Sequence, residues 1–213
     1  MTKRLITIFA IYIGLFSAAS GQTFYGSTDL KTFRDGRDKE FRDRAESPLK
    51  DEDFAVFKGL NYYPTDTAFR VTATLKRTAD AKYFQMPTSS GLTKKLVKYG
   101  LLTFRLNSKL STLSVYRSDS VTREKFPEYA HLLFIPFKDG TNANETYGGG
   151  RYIDIVTPSD NKVILDFNLA YNPNCAYGSD KYSCPIPPRE NRLSVGIKAG
   201  EKRYEYAGYE STH

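Results

Sequence analysis

Residues 69–76 alternate between apolar and polar side chains, and this period of two limits the fold more than any other feature. Phe69, Val71, Ala73 and Leu75 are apolar, and polar or charged residues separate them. Successive side chains of a strand point to opposite faces, so the alternation is typical of a strand with one buried and one solvated face. It predicts a sheet with an apolar core on one side.

Seven further segments carry strand patterns, with short turn-rich links between them. They are residues 82–86, 96–106, 110–116, 130–137, 151–156, 163–169 and 193–198. An Asn-Ser-Lys tripeptide at 107–109 suits a tight turn and predicts a hairpin of the two segments around it. Because no helical pattern is interleaved among these segments, we predict an all-β fold. It would be an antiparallel β-sandwich or barrel of about eight strands.

The first residues have the pattern of a secretory signal peptide. Lys3 and Arg4 are basic, residues 5–16 are apolar, and residues 17–21 are small, which suits cleavage before Gln22. The apolar run is shorter than the roughly 20 residues that a bilayer-spanning helix needs, so a permanent anchor is the weaker interpretation. We therefore predict a signal peptide at 1–21 and a single β domain at 22–213. The location would be secreted or periplasmic, with no integral membrane segment after cleavage.

Ahead of the strands, residues 27–46 predict an N-terminal amphipathic helix packed on the sheet. Leu30, Phe33 and Phe41 recur at helical spacings, and charged residues fill the other faces. Later in the chain, residues 118–128 are polar and predict a loop.

Aromatic content and charge bear on the fold class and on the partners. Aromatic residues make up 14% of the chain, all of them Tyr or Phe, and both favour half-buried strands. The net charge of +7 falls to +5 without Lys3 and Arg4, and basic residues are scattered among acidic ones. A nucleic-acid-binding surface is therefore not predicted.

Residues 145–201 hold the densest set of chemically special side chains. The candidate ligand-binding residues in this stretch are Tyr147, Arg151, Asp166, Asn168, Tyr171 and Asn172. Asp166 and Asn168 share one face of the 163–169 segment, and a buried carboxylate needs a partner, for which Arg151 is the obvious candidate. Two interpretations remain open: a buried ion pair that braces the sheet, or the polar floor of a pocket.

Cys175 and Cys184 are the only cysteines. In an exported protein they most simply form a disulfide closing a loop of about ten residues, worth about 2–3 kcal/mol by chain entropy. A metal site and a reactive thiol are the alternatives. The side chains that would have to complete a metal site are Asp166, Asn172 or Glu190. Since two thiolates alone do not complete a tetrahedral zinc site, neither a metal nor a cofactor is predicted.

Several short motifs together resemble the DUF1684 family of uncharacterised, mostly bacterial proteins. They are SPL (47–49), F-x-GL-x-YYP-x-D (57–66), FRV-x-A (69–73), FIPF-x-D (134–139), ETYGGGRY-x-D (145–154), LDFN-x-AYNP-x-CAY (165–177), YSCP-x-PP-x-EN (182–191) and AGEK (199–202). The resemblance covers nearly all of the chain after the signal peptide and implies no activity. It implies that Arg151, Asp166, Asn168, Asn172, Cys175, Cys184 and Asn191 belong to the family's motif. Members without an export signal also carry the two cysteines, which strengthens the thiol and metal alternatives.

Three functional hypotheses follow. The first is a binding module that holds a small polar ligand against the Asp166 and Asn168 face, rimmed by Arg151, Tyr147 and Tyr171. The second is a hydrolase-like or metal-assisted enzyme with Asp166 as general base or metal ligand. The third is a structural, envelope-associated protein. A Ser-His-Asp or Cys-His apparatus would rest on His131 alone and is not predicted.

Overall fold

A computed structural model describes residues 25–205, and the predicted signal peptide at 1–21 lies outside them. The main element is one antiparallel sheet of seven strands that curls into a half-barrel. The strands are β1 (Arg70–Arg77), β2 (Tyr83–Pro87), β3 (Thr93–Leu106), β4 (Lys109–Ser118), β5 (Leu132–Phe137), β6 (Arg151–Val156) and β7 (Lys162–Asp166). Their order in the sheet is β6-β5-β4-β3-β1-β7, and β2 pairs with β3. The prediction of mostly antiparallel β structure is confirmed.

The alternation of side chains explains how the strands bury their core. In β1, Ala73 and Leu75 are fully buried, whereas Thr74 and Lys76 face solvent. The predicted hairpin of β3 and β4 is confirmed, and its turn lies at Asn107 and Ser108, with φ angles of 49° and 62°. Two consecutive positive φ angles match the twist of the flanking strands, which sets the register of the hairpin.

The sheet bends at Gly100, near the middle of β3. The first half of β3 pairs with β2 and the second half with β1. The register with β4 shifts between Lys98 and Gly100. A Cβ atom on Gly100 would lie 2.7 Å from the carbonyl oxygen of Lys76, so this position requires glycine. Such a bulge increases the local twist and helps to curl the sheet.

Three α-helices of the described residues accompany the sheet: α1 (Leu30–Arg42), α2 (Asp51–Val56) and α3 (Ser120–Lys125). The carboxylate of Asp29 accepts a hydrogen bond from the Thr32 amide at 2.7 Å and caps the start of α1. Phe33, Arg37 and Phe41 bury one face of α1. Short 3₁₀ helices lie at Thr67–Phe69, Pro127–Tyr129, Phe167–Leu169, Asn174–Tyr177 and Arg189–Asn191. Among residues 25–205, no helix has the length and apolar character to cross a membrane.

Three local predictions are wrong. The predicted strand at 163–169 stops at Asp166 and continues as a 3₁₀ helix, and the predicted loop at 118–128 contains α3. Residues 193–198 form no strand. In that segment the Ile197 amide donates to Asp139 at 3.0 Å, and the Ile197 carbonyl accepts from Arg151 at 2.8 Å. Side chains therefore satisfy the backbone groups of Ile197, whereas Leu193 and Val195 bond to the backbone of Lys138 and Gly140, at 2.8 and 3.0 Å.

Asn191 joins this returning segment to the sheet. The aligned pair between β4 and β5 is Tyr116 with Phe134. The buried Asn191 amide donates to the carbonyls of Ser114 and Pro136 at 2.8 and 2.7 Å, and accepts from the Ser114 amide at 2.7 Å. One side chain thus bridges the backbones of β4 and β5.

Candidate functional site

Arg151, the first residue of β6, is completely buried in a site made of backbone and one carboxylate. Its guanidinium donates to Asp139 at 3.0 Å, with both side chains 0% exposed. It also donates to the carbonyls of Ile197, Ala199 and Glu201. Arg151 therefore holds the C-terminal segment against the sheet.

The predicted pairing of Arg151 with Asp166 is wrong. Asp166 lies opposite Arg70 in the β1–β7 pair, and the two side chains approach to 3.4 Å. Its carboxylate also accepts from the backbone and side-chain amides of Asn168, at 2.9 and 2.8 Å. Asp166 thus caps the 3₁₀ helix that follows β7. Its counter-charge is Arg70, its direct cross-strand neighbour.

The remaining predicted polar residues also make internal contacts. Asn168 exchanges two hydrogen bonds with the backbone of Asp66, at 2.8 and 3.0 Å. Asn172 donates to Glu201 at 3.1 Å and to the Lys202 carbonyl at 2.8 Å. Tyr147 is half-buried against an apolar cluster around Phe41. The structure does not bring these residues together at one cavity.

A cleft with a volume of about 410 Å³ lies elsewhere on the described residues. Of the six predicted ligand-binding residues only Tyr171 lines it, and Cys184 lies at its edge. We call it the aromatic cleft because six rings line it: Tyr25, Tyr129, Phe134, Tyr152, Tyr171 and Tyr182. Its charged lining residues are Glu40, Lys94 and Asp154.

Five of the six rings, all except Tyr182, contact one another in sequence and form a continuous wall. Consecutive ring centroids lie 6.3 Å apart for Tyr129 and Tyr25, 5.3 Å for Tyr25 and Tyr171, 5.7 Å for Tyr171 and Tyr152, and 4.7 Å for Tyr152 and Phe134. The interplanar angles of these pairs range from 58° to 88°. Edge-to-face contacts of this kind stabilise aromatic clusters.

Strand geometry places Asp154 and Tyr152 in the cleft. On β6, Arg151 and Ile153 point to the buried side of the sheet, whereas Tyr152 and Asp154 point to the other side. Phe134 lies opposite Asp154 in the β5–β6 pair. Tyr171 exchanges two backbone hydrogen bonds with Tyr152, at 2.9 and 3.0 Å, which sets its ring beside them.

Asp154 is a half-buried carboxyl group, and Tyr171 donates its hydroxyl to one of its oxygens. Burial raises the pKa of Asp154 to about 6, although the Tyr171 hydrogen bond and the charges of Lys94 and Arg37 act in the opposite direction. No basic side chain within residues 25–205 forms an ion pair with it. A carboxyl group tuned by burial in a cleft is a feature of functional sites.

The raised pKa of Asp154 predicts that stability falls as the pH rises. Between about pH 4 and 6 the folded state binds more protons than the unfolded state, so the stabilisation present at low pH is lost through pH 6. A shift of this size corresponds to about 3 kcal/mol. In urea denaturation experiments at pH 4 to 7.5, the free energy of unfolding of wild type should fall by about this much relative to that of Asp154→Asn, whose side chain does not ionise. A difference between the two proteins that stays constant with pH would contradict the assignment.

Arg37 lies behind the ring wall and is completely buried. Its guanidinium donates to the hydroxyls of Tyr25 and Tyr177 at 2.9 and 3.2 Å. It also lies 3.3 Å from Glu40 and 3.6 Å from the buried Glu201. Arg37 thus connects helix α1, the cleft wall and the C-terminal segment.

Cys175 and Cys184 form a disulfide, with their Cα atoms 6.1 Å apart. Ser89 binds this loop, because its amide donates to the Cys184 carbonyl and its hydroxyl accepts from the Cys184 amide, at 2.9 and 3.1 Å. Within the described part of the chain, no three His, Cys, Asp or Glu side chains are grouped as metal ligands. The disulfide interpretation of the cysteines is the one the structure supports.

The sequence contained a partial signal for the cleft residues that are not among the six predicted ligand-binding residues. Tyr152 and Asp154 are adjacent polar positions on one face of a predicted strand, and Asp154 ends the ETYGGGRY-x-D motif. Tyr25, Glu40 and Lys94 carried no comparable signal, since they come from segments far apart in the chain. Their assembly depends on how α1 and β3 pack beside β6.

Comparison with known proteins identifies a family and a relative of known structure. A family model described as a protein of unknown function, DUF1684, matches residues 55–202. An uncharacterized protein of Haloarcula marismortui, with a structure determined by solution NMR, is 35% identical and has a TM-score of 0.64. The likeness covers 81% of this chain and 91% of that one. No curated protein matches the sequence significantly. Neither description names a ligand or a reaction.

Proposed function

This chain belongs to the DUF1684 family, whose description assigns no activity, and we propose from the site itself that the protein is a binding module. In this proposal the aromatic cleft holds a small polar organic ligand. The observation that carries it is a half-buried carboxyl group, Asp154, in a cleft lined by six aromatic rings.

The size and lining of the cleft support binding of a small molecule. Its volume of about 410 Å³ lies within the range of about 300–1,000 Å³ that is usual for ligand pockets. Such pockets combine apolar and aromatic walls with a few polar groups that orient the ligand. The rings supply the walls, and Asp154, Glu40 and Lys94 supply the orienting groups.

The contacts of Asp166 argue against the hypothesis of an enzyme in which Asp166 is the general base or a metal ligand. Its carboxylate already accepts two hydrogen bonds from Asn168 and lies 3.4 Å from Arg70. A general base must reach the proton that it abstracts, and Asp166 is engaged in holding a turn. Binding at the cleft is therefore the better-supported function.

The disulfide favours a secreted or periplasmic site of action for this module. Disulfides persist in oxidising compartments and are rare in the reducing cytosol. The Cys175–Cys184 bond closes a loop whose Cys184 end borders the cleft, so it also fixes one edge of the proposed site.

A ligand screen with two tyrosine variants tests the proposal. We expect at least one compound of a size-matched panel of cationic, anionic and neutral molecules to raise the melting temperature of wild type. Tyr129 is 43% exposed at the cleft, so Tyr129→Leu should fold and weaken binding by about tenfold, which is the scale of an aromatic contact.

The matched control is Tyr83→Leu, since Tyr83 is 56% exposed and lies on β2 outside the cleft. In isothermal titration calorimetry, Tyr83→Leu should bind the compound found in the screen with wild-type affinity. If no compound of any charge shifts the melting temperature, or if both variants weaken binding equally, the cleft is not the binding site.

A further inference from the structure

The charges of the aromatic cleft restrict the kind of ligand that it can hold. On the premise that the cleft is a binding site, we propose that its ligand is a small organic cation, an amine or quaternary ammonium compound. The ammonium group would lie among the rings and beside Asp154. This inference rests on the proposed function and adds the ligand class to it.

The ring wall suits a cation. Adjacent rings are steeply inclined, with 88° between Tyr152 and Tyr171 and 74° between Phe134 and Tyr152, so the rings do not lie in one flat layer. The face of an aromatic ring attracts a cation, and groups of such rings bind quaternary ammonium compounds. Burial raises the pKa of Tyr25, Tyr152 and Tyr171, so their rings carry neutral phenols at physiological pH.

The two carboxyl groups at the cleft differ in their counter-charges. Glu40 lies 3.3 Å from Arg37 and accepts a hydrogen bond from Tyr25 at 3.0 Å. Asp154 receives the Tyr171 hydroxyl, but no cation within residues 25–205 lies in ion-pair contact with it. A partly buried carboxylate without a counter-ion is costly, and an entering ammonium group supplies that counter-ion.

Lys94 is the basic residue among the described residues that line the cleft, and it is exposed to solvent. It makes no ion pair within 4 Å in the described chain, so its long side chain can remain in water while a ligand cation occupies the cleft. Its charge still opposes a cation. Lys94→Ala should therefore strengthen cation binding and weaken the binding of an anion.

Choline and 3,3-dimethyl-1-butanol form a matched pair of probes, because they have nearly the same shape and only choline is charged. By calorimetry at pH 7.5, we expect choline to bind at least about tenfold more tightly than the neutral alcohol. Asp154→Asn should remove most of this preference. Glu128→Gln is the control, since Glu128 is exposed and is not among the lining residues, and it should keep the preference.

The pH dependence gives a second readout, since choline does not titrate. Affinity for choline should rise as the pH increases through about 6, where Asp154 ionises beside Tyr171, Lys94 and Arg37. Asp154→Asn should bind choline with an affinity that is nearly constant over this range. A wild-type affinity that does not change with pH would contradict the role of Asp154.

The outcomes separate this inference from the proposed function. Equal binding of choline and the alcohol, or binding of anions alone, would overturn the cation assignment and leave the cleft as a binding site. Absence of binding by every compound of the panel, including both probes, would overturn both.

Discussion

Arg151→Met should lower the free energy of unfolding by about 3–5 kcal/mol, the usual cost of removing one partner of a buried ion pair. Methionine is apolar and of similar length to arginine, so it fills much of the same space, but it leaves the Asp139 carboxylate buried without its cation. It also removes the donor to the carbonyls of Ile197, Ala199 and Glu201. Urea denaturation at pH 7 measures the effect.

Arg77→Met is the matched control for this experiment. Arg77 also donates to a backbone carbonyl, that of Pro158 at 3.0 Å, but its side chain is exposed. Exposed substitutions of this kind change stability by about 0.5 kcal/mol or less. Arg151 lies outside the aromatic cleft, so the folded fraction of Arg151→Met should keep wild-type ligand affinity. If the free energy of unfolding of Arg151→Met equals that of Arg77→Met, Arg151 does not hold the C-terminal segment against the sheet.

Arg37→Met should cost a similar amount, about 3–5 kcal/mol, because Glu201 is buried beside it and would lose its counter-charge. Burial raises the pKa of Glu201, whereas Arg37, Tyr177 and Asn172 lower it. Without Arg37, Glu201 can avoid its charge by taking up a proton at low pH. The loss of stability should therefore be larger at pH 8 than at pH 5.

Lys31→Met provides the comparison on the same helix. Lys31 pairs with Asp35 on the solvent side of α1, with its side chain 83% exposed. Such surface pairs contribute about 0–1 kcal/mol. Urea denaturation of both variants at pH 5 and pH 8 measures the difference. A loss in Arg37→Met that is small, or that does not depend on pH, would show that Arg37 is not the counter-ion of Glu201.

Local patterns in the sequence were sufficient for most of the sheet. Side-chain alternation identified β1, and the tripeptide at 107–109 identified the β3–β4 hairpin, since both depend on neighbouring residues alone. The same reasoning failed at residues 193–198, which alternate like a strand. There the backbone bonds to Asp139 and Arg151 from other parts of the chain, and local sequence does not contain that information.

The candidate site illustrates the limit more sharply. Sequence reasoning paired Arg151 with Asp166 within the motif-rich stretch, yet Arg151 pairs with Asp139 and Asp166 with Arg70. The β1–β7 register decides the second pair. The β5–β6 register sets Phe137 opposite Arg151 and so brings the nearby Asp139 to the Arg151 side chain. Both carboxylates were visible in the sequence, but the partner of each depends on long-range alignment.

The sequence by itself indicated most of the strands, a disulfide as the simplest role of the two cysteines, and the family, because each follows from composition, spacing or motif order along the chain. Only the tertiary structure decided which charges pair and where a cleft opens. The cleft draws Tyr25 from the segment before α1, Lys94 from β3, Asp154 from β6 and Tyr171 from beyond β7. Burial and counter-charge are properties of the assembled surroundings. The environment of the Asp154 carboxyl, which has no ion pair among residues 25–205, therefore exists only when these segments pack together.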